Sequence, residues 1–266
     1  TKLAPVQKYR ELFDLDTPEE DGHNTVSFLE GVLDGSNKGY IGLGGNLAKA
    51  VPDHELVHEA WGNMELTVQG IKRLAESGYS VLVVNPYYRS QRAPVVNTTD
   101  FAEVADVIRP LMGTLNAETQ VADAKAFVSF LDSQASVDSN RKMGTMGYCM
   151  GGPFTMRTAA SLPDRIGAAA SFHGGGLVTD QPNSPHLLVP QMKAHYLFAI
   201  AENDDENQPE AKDVLREAVS VAGLPAEIEV YEALHGWCPP DATVYDEALA
   251  ERAWSRMLAL FERALA

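Results

Sequence analysis

From about residue 56 onward the chain alternates apolar runs of strand length with apolar stripes at helical spacing, and no other feature narrows its fold so far. Residues 166–172 (IGAAASF) and 194–201 (AHYLFAIA) are nearly unbroken apolar runs. A strand with one wet face would alternate, so these read as strands covered on both sides. Such strands belong to a mostly parallel sheet, because the crossover connections of a parallel sheet lay helices over both faces. The helices can be read between them. Met64, Val68, Ile71, Leu74 and Ala75 recur at helical spacing and stop at Gly78, suited to the residue past a helix C-terminus, before residues 79–84 (YSVLVV), read as another buried strand. Asn116 can cap a helix with the stripe Val121, Ala124, Val128 and Leu131. A strand is expected over 142–146 and a helix over 153–160; Pro209 opens a further helix and Gly223 closes it. Ile228 and Val230 alternate with glutamates in a last strand, and residues 245–265 form a long amphipathic helix. The expected class is α/β, with functional groups at the carboxyl ends of the strands.

Length and charge narrow the functions. With 266 residues, 45% of them hydrophobic, the chain can bury one sizeable core, and residues 26–266 read as one domain behind an N-terminal extension, 1–25. A net charge of -16 repels nucleic-acid backbones and anionic lipid surfaces, so neither is an expected partner. The sequence contains no apolar run of the roughly eighteen residues that mark a membrane span. Cys149 and Cys238 are too few for a disulfide framework, which fits a reducing compartment, and a cytoplasmic location is expected. A homo-oligomer stays open. Residues 86–118 are too irregular for regular elements throughout; a short helix over 101–108 is expected within them, and the segment is a candidate substrate cover.

Two motifs compete to carry the chemistry. His54-Glu55-Leu56-Val57-His58 is a literal match to the zinc-peptidase helix, with two imidazoles one turn apart and a glutamate as general base. Its usual extension fails, since Trp61 and Met64 stand where a glycine and a third histidine are needed, and Gly62 interrupts the helix. Gly147-Tyr148-Cys149-Met150-Gly151 has the G-x-nucleophile-x-G form of an elbow between strand and helix, with both elements in place around it. There the two glycines are expected to relieve clashes where strand and helix cross, and Cys149 to sit in a strained backbone conformation. Asp204 and His235 then follow in the order nucleophile, acid, histidine, each in a loop at the carboxyl end of a strand. His235 would manage protons and Asp204 would orient it, with Asp205 as the alternative acid.

The blocks VHEAWGNMELTVQGIKRLAESGYSVLVVNPYYR, GTMGYCMGG and AIAENDD, with residues 231–237, resemble the dienelactone hydrolase family over most of the chain. The resemblance implies an α/β-hydrolase fold and a triad of Cys149, Asp204 and His235. It implies an oxyanion hole from the N–H groups of Ala60 and Met150, and at Glu59 a buried glutamate that interacts with the resting cysteine and is displaced by substrate. Arg89 matches the arginine that receives a substrate carboxylate, and Tyr88 and Trp237 are taken with it as substrate contacts. The implied activity is hydrolysis of an ester or lactone of a small molecule through a thioester, with no cofactor and no metal. Two departures stand out. His235 is followed by Gly236-Trp237-Cys238-Pro239, where the family carries a second arginine, and residues 52–57 (PDHELV) are polar for a central strand. These departures sustain a third alternative, a hydrolase-like scaffold that binds without turnover.

Overall fold

The computed structural model describes residues 72–91, 95–96, 101–134 and 136–265. Helices α1 (Phe101–Met112) and α2 (Ala117–Asp132) precede strand β1 (Met143–Tyr148). Helix α3 (Gly151–Ser161) leads to β2 (Ile166–Phe172), and a 3₁₀ helix (Pro185–Gln191) to β3 (His195–Ala201). Then come the short α4 (Glu202–Asn207), α5 (Ala211–Val221), β4 (Ala226–Tyr231) and the C-terminal α6 (Glu247–Leu265). The four strands form one sheet in the order β1-β2-β3-β4, each pair parallel.

The two-residue period of the strands sorts the core into two layers. Ala168, Ala170 and Phe172 of β2 and Leu197, Ala199 and Ala201 of β3 face Met257, Leu260 and Phe261 of α6. The intervening Ala169, Tyr196 and Phe198 face Met156 and Ala159 of α3, Val189 of the 3₁₀ helix and Leu215 and Val219 of α5. Every residue of β2 is buried, which is why its sequence shows no alternation. Large side chains such as Phe172, Phe198 and Trp237 each contribute about 1.5–3 kcal/mol through that burial.

Helix boundaries follow local chemistry. Asn116 caps α2 as expected: its side chain accepts from the Thr119 N–H at 2.9 Å, and the Thr119 hydroxyl accepts in return from the Asn116 N–H at 3.0 Å. Gly78, at φ +90°, ends the helical turn at residues 72–76. Two expectations need correction. Residues 79–84 pair with no described strand, and Val83 and Val84 are 51% and 38% exposed. An apolar run becomes a strand only where a neighbour takes up its main-chain groups; here Tyr79 and Val81 still pack on the α6 core, the Tyr79 ring 5.8 Å from Phe261, but as a loop. Helix α1 runs on to Met112, carrying Pro110 in its last turn, so the segment expected to be irregular is more regular than its sequence suggests. No helix among the described residues is long and apolar enough to cross a membrane.

Replacing Asn116 by Ala removes the side-chain half of the capping box, the bond from the Thr119 N–H, while the backbone N–H at 116 can still donate to the Thr119 hydroxyl, and urea unfolding should show a loss of about 1 kcal/mol.

Candidate active site

The carboxyl ends of β1, β3 and β4 supply three of the side chains singled out in the sequence. Between Tyr148, the last residue of β1, and Gly151, the first of α3, only Cys149 and Met150 turn the chain. Cys149 takes φ +50°, a left-handed conformation that costs a non-glycine residue about 1–3 kcal/mol. Three main-chain hydrogen bonds hold it there. Its N–H donates to the Phe172 carbonyl at 3.1 Å, and its carbonyl accepts from the N–H groups of Gly152 at 3.0 Å and Gly175 at 3.2 Å.

Strand and helix cross so closely that a Cβ at Gly147 would lie 2.3 Å from the Gly151 carbonyl oxygen. Among the described residues the second steric glycine is not Gly151, where a Cβ would meet none of their atoms within 4 Å, but Gly152. A Cβ there would lie 2.5 Å from Ser171 Oγ and 2.9 Å from Gly174 Cα. The close approach is thus to the loop beyond β2, one residue further along than the motif pattern indicates.

Asp204 lies in α4, immediately after β3, and His235 in the loop after β4. The His235 Nδ1–H donates to Asp204 Oδ2 at 2.7 Å, and the His235 backbone N–H donates to Asn203 Oδ1 at 2.8 Å. Asp205 instead binds Lys212 Nζ at 2.6 and 2.7 Å. The two acids that spacing left level are therefore separated by their partners. The His235 imidazole is pushed up to about 10, first by its hydrogen bond to Asp204 and next by the Cys149 sulfur beside it, while partial burial pulls the other way. The direction of that shift favours the protonated ring.

Cys149 is exposed and Cys238 is partly buried; neither is in a disulfide. Burial pushes the Cys238 thiol up to about 12, which leaves it inert as a nucleophile. Met150 is the N-cap of α3, so its N–H belongs to the group with no acceptor inside the helix, and its Sδ accepts from the Tyr87 hydroxyl at 3.0 Å.

The expected substrate contacts are arranged otherwise. Arg89 donates through both arms of its guanidinium to Asp123, at 2.7 and 2.5 Å, and the Tyr88 hydroxyl donates to the same carboxylate at 2.9 Å. The fork expected to receive a substrate carboxylate is filled by the protein's own. Trp237 has no exposed surface; it stacks on Tyr231 at 5.2 Å and packs as core, so the reading of it as a substrate contact is corrected. Glu59 and Ala60, and the His54-Glu55-x-x-His58 motif, lie outside the described residues.

Two contributors escaped the sequence reading. Asn203 had no spacing signal. Asp123 had one: it adjoins Ala124 of the α2 stripe, and an acid there, 6% exposed, calls for a partner. His173 stands in the H-G-G-G run after β2, which reads as a turn near the mouth of the site, and its ring lies 4.8 Å from that of His235.

A model of the dienelactone hydrolase family matches residues 50–265. The chain belongs to the dienelactone hydrolase family. Among its curated relatives, a provisionally named carboxymethylenebutenolidase of Salmonella typhi is 29% identical over 216 residues, covering 80% of this chain and 77% of that protein. The carboxymethylenebutenolidase of Rhodococcus opacus is 27% identical over 198 residues, covering 72% and 73%. A crystal structure of a provisionally named dienelactone hydrolase from Klebsiella pneumoniae subsp. pneumoniae superposes with a TM-score of 0.64 at 25% identity, covering 76% of this chain and 83% of that one. The fold is that of the α/β-hydrolases, and the chain is a dienelactone hydrolase-like carboxylic ester hydrolase.

Two glycines offer a sharp contrast. Gly151→Ala should leave stability within about 0.5 kcal/mol of the parent, whereas Gly152→Ala, forced against Ser171 and Gly174, should lose about 1–3 kcal/mol in thermal or urea unfolding. The raised His235 also has a pH signature. Because its basicity increases on folding, the stability it contributes is complete below the ordinary imidazole range and is lost as pH rises through about 10, so unfolding followed across pH 6–11 should show a decline at the alkaline end that His235→Gln removes.

Proposed function

We propose that this chain hydrolyses an ester or lactone of a small molecule through a thioester on Cys149, with His235 and Asp204 completing the triad. The observation that carries the reading is the bonded pair of His235 and Asp204 beside the Cys149 elbow. Sulfur attacks the carbonyl carbon, and the carbonyl electron pair moves to oxygen. The Met150 N–H steadies that oxyanion in this reading, as the residue after the nucleophile does in this type of elbow. The Ala60 N–H joins it by resemblance. As the tetrahedral species collapses, the His235 imidazolium gives its proton to the departing alkoxide; in a lactone this alcohol stays tethered to the acyl group. The neutral imidazole then takes a proton from water, whose oxygen attacks the thioester, and expulsion of the sulfur restores the pair. Asp204 holds the Nδ1–H throughout and stabilises each imidazolium. Glu59 carries over by resemblance as the acid that keeps the resting cysteine. None of these steps calls on a metal or an organic cofactor.

The substrate in this reading is an ester or lactone without an obligatory carboxylate. The Arg89 fork is filled by Asp123, and no arginine follows His235 in the loop to Pro239. A cytoplasmic location suits a chain whose two cysteines are both free.

Cys149→Ala should lower kcat/KM for an activated ester by about a thousandfold or more, and Cys149→Ser should lose most activity too. Iodoacetamide should alkylate Cys149 well before Cys238 and stop turnover in proportion; equal labelling with activity intact would reject the assignment. Asp123→Asn frees the Arg89 fork, and should raise kcat/KM for a carboxylate-bearing ester over its neutral counterpart by about tenfold.

A further inference from the structure

His173 follows β2 directly, in the loop that also carries Gly174 and Gly175, and nothing in the triad chemistry uses it. Its surroundings are unusual in three independent ways. The residue is 2% exposed, and neither ring nitrogen has a hydrogen-bond partner among the described residues. Buried polar groups left in this state call for a functional explanation. Its backbone takes φ +40°, pinned by an N–H donated to the Ala199 carbonyl at 2.7 Å, and backbone held in this region by its surroundings clusters at functional sites. Its ring meets that of His235 edge to face, 4.8 Å between centroids at 62°.

The contact is one end of an aromatic column. Arg252 lies over the Tyr231 ring at 5.1 Å, Tyr231 stacks on Trp237 at 5.2 Å, Trp237 meets His173 at 5.2 Å and 65°, and His173 meets His235. Tyr148, the neighbour of the nucleophile, touches His173 from another side at 5.8 Å. Asp204 and Asn203 fix His235 through its Nδ1 and its backbone, but neither bond limits tilt of the ring about the Nδ1 contact. The His173 ring supplies a wall against that tilt.

We propose that His173 is a positioning residue whose uncharged aromatic ring supports the His235 imidazolium and holds its plane toward Cys149. The proposal rests on His235 acting as the proton carrier described above. Burial first, and then the neighbouring His235 charge, push the His173 imidazole down to about 3, so it is neutral between about pH 3 and 10, where His235 is charged. A neutral ring beside the imidazolium adds no like charge, whereas a second charge 4.8 Å away would repel it.

The test compares His173→Phe, which keeps an aromatic ring, with His173→Ala and His173→Asn, which do not; Asn also tolerates the positive φ, so it guards against loss of fold. Each is measured for kcat and KM on a neutral activated ester and for the rate of Cys149 alkylation by iodoacetamide, with circular dichroism confirming the native fold. Support is a fall in kcat of about ten- to a hundredfold in folded His173→Asn or His173→Ala, KM within about twofold, slower alkylation, and His173→Phe within about threefold of the parent. A folded His173→Asn with parental kcat and alkylation rate overturns the proposal. So does a His173→Phe as impaired as the alanine variant, which would make the ring nitrogens the working groups. Cys149→Ala and His235→Gln, assayed alongside, separate the two levels: if these retain activity, the triad reading itself has failed.

Discussion

The tight crossing of β1 into α3 is the constraint on which the rest of the site depends. The chain must leave a buried parallel sheet, reverse within two residues and start a helix packed against the same sheet. That is possible only if no side chain stands at Gly147 or Gly152, and only if Cys149 accepts a left-handed backbone. The cost is offset by three hydrogen bonds to the Cys149 main chain, two of which come from the loop after β2 and from β2 itself. The position of Cys149 is therefore a property of the sheet, and the residue is left exposed while its backbone is tied by those bonds.

Sheet geometry places the partners as well. Parallel pairing of β3 with β4 brings Ala201 beside Tyr231, so the residues just beyond each strand, Asn203 and Asp204 on one side and His235 on the other, fall within hydrogen-bond reach. Asp204 organises the imidazole, the sulfur raises it further, and the buried neutral His173 walls it in. Three different effects, charge, hydrogen bonding and exclusion of water, thus act on a single ring.

Much of this was legible in the sequence, and the parts that were not have common physical causes. The strands at 166–172 and 195–201 could be read because burial on both faces leaves an unbroken apolar run. The elbow could be read because its steric demands are local. The run at 79–84 pairs with no strand among the described residues, and hydrophobicity reports a tendency to be buried but not which neighbour accepts the main-chain hydrogen bonds. Gly151 was credited with the constraint that belongs to Gly152 because the second close contact is with Ser171 and Gly174, distant in sequence. The same distance hid the choice of Asp204 over Asp205, which only the partner of each carboxylate decides, and hid the filling of the Arg89 fork by Asp123 from another helix. Trp237 was taken as a substrate contact, yet its ring stacks inward on Tyr231, a packing that its position in the sequence does not reveal.

The central claim is that acyl transfer passes through the Cys149 sulfur, and trapping the intermediate tests it most directly. The protein would be mixed with a slowly deacylating activated ester, quenched in acid and mapped by peptide mass spectrometry. The account predicts an acyl adduct on the peptide containing Cys149, removed by neutral hydroxylamine and absent when the quench follows complete turnover. Steady hydrolysis with the adduct on another residue, or with Cys149 never acylated, would contradict it.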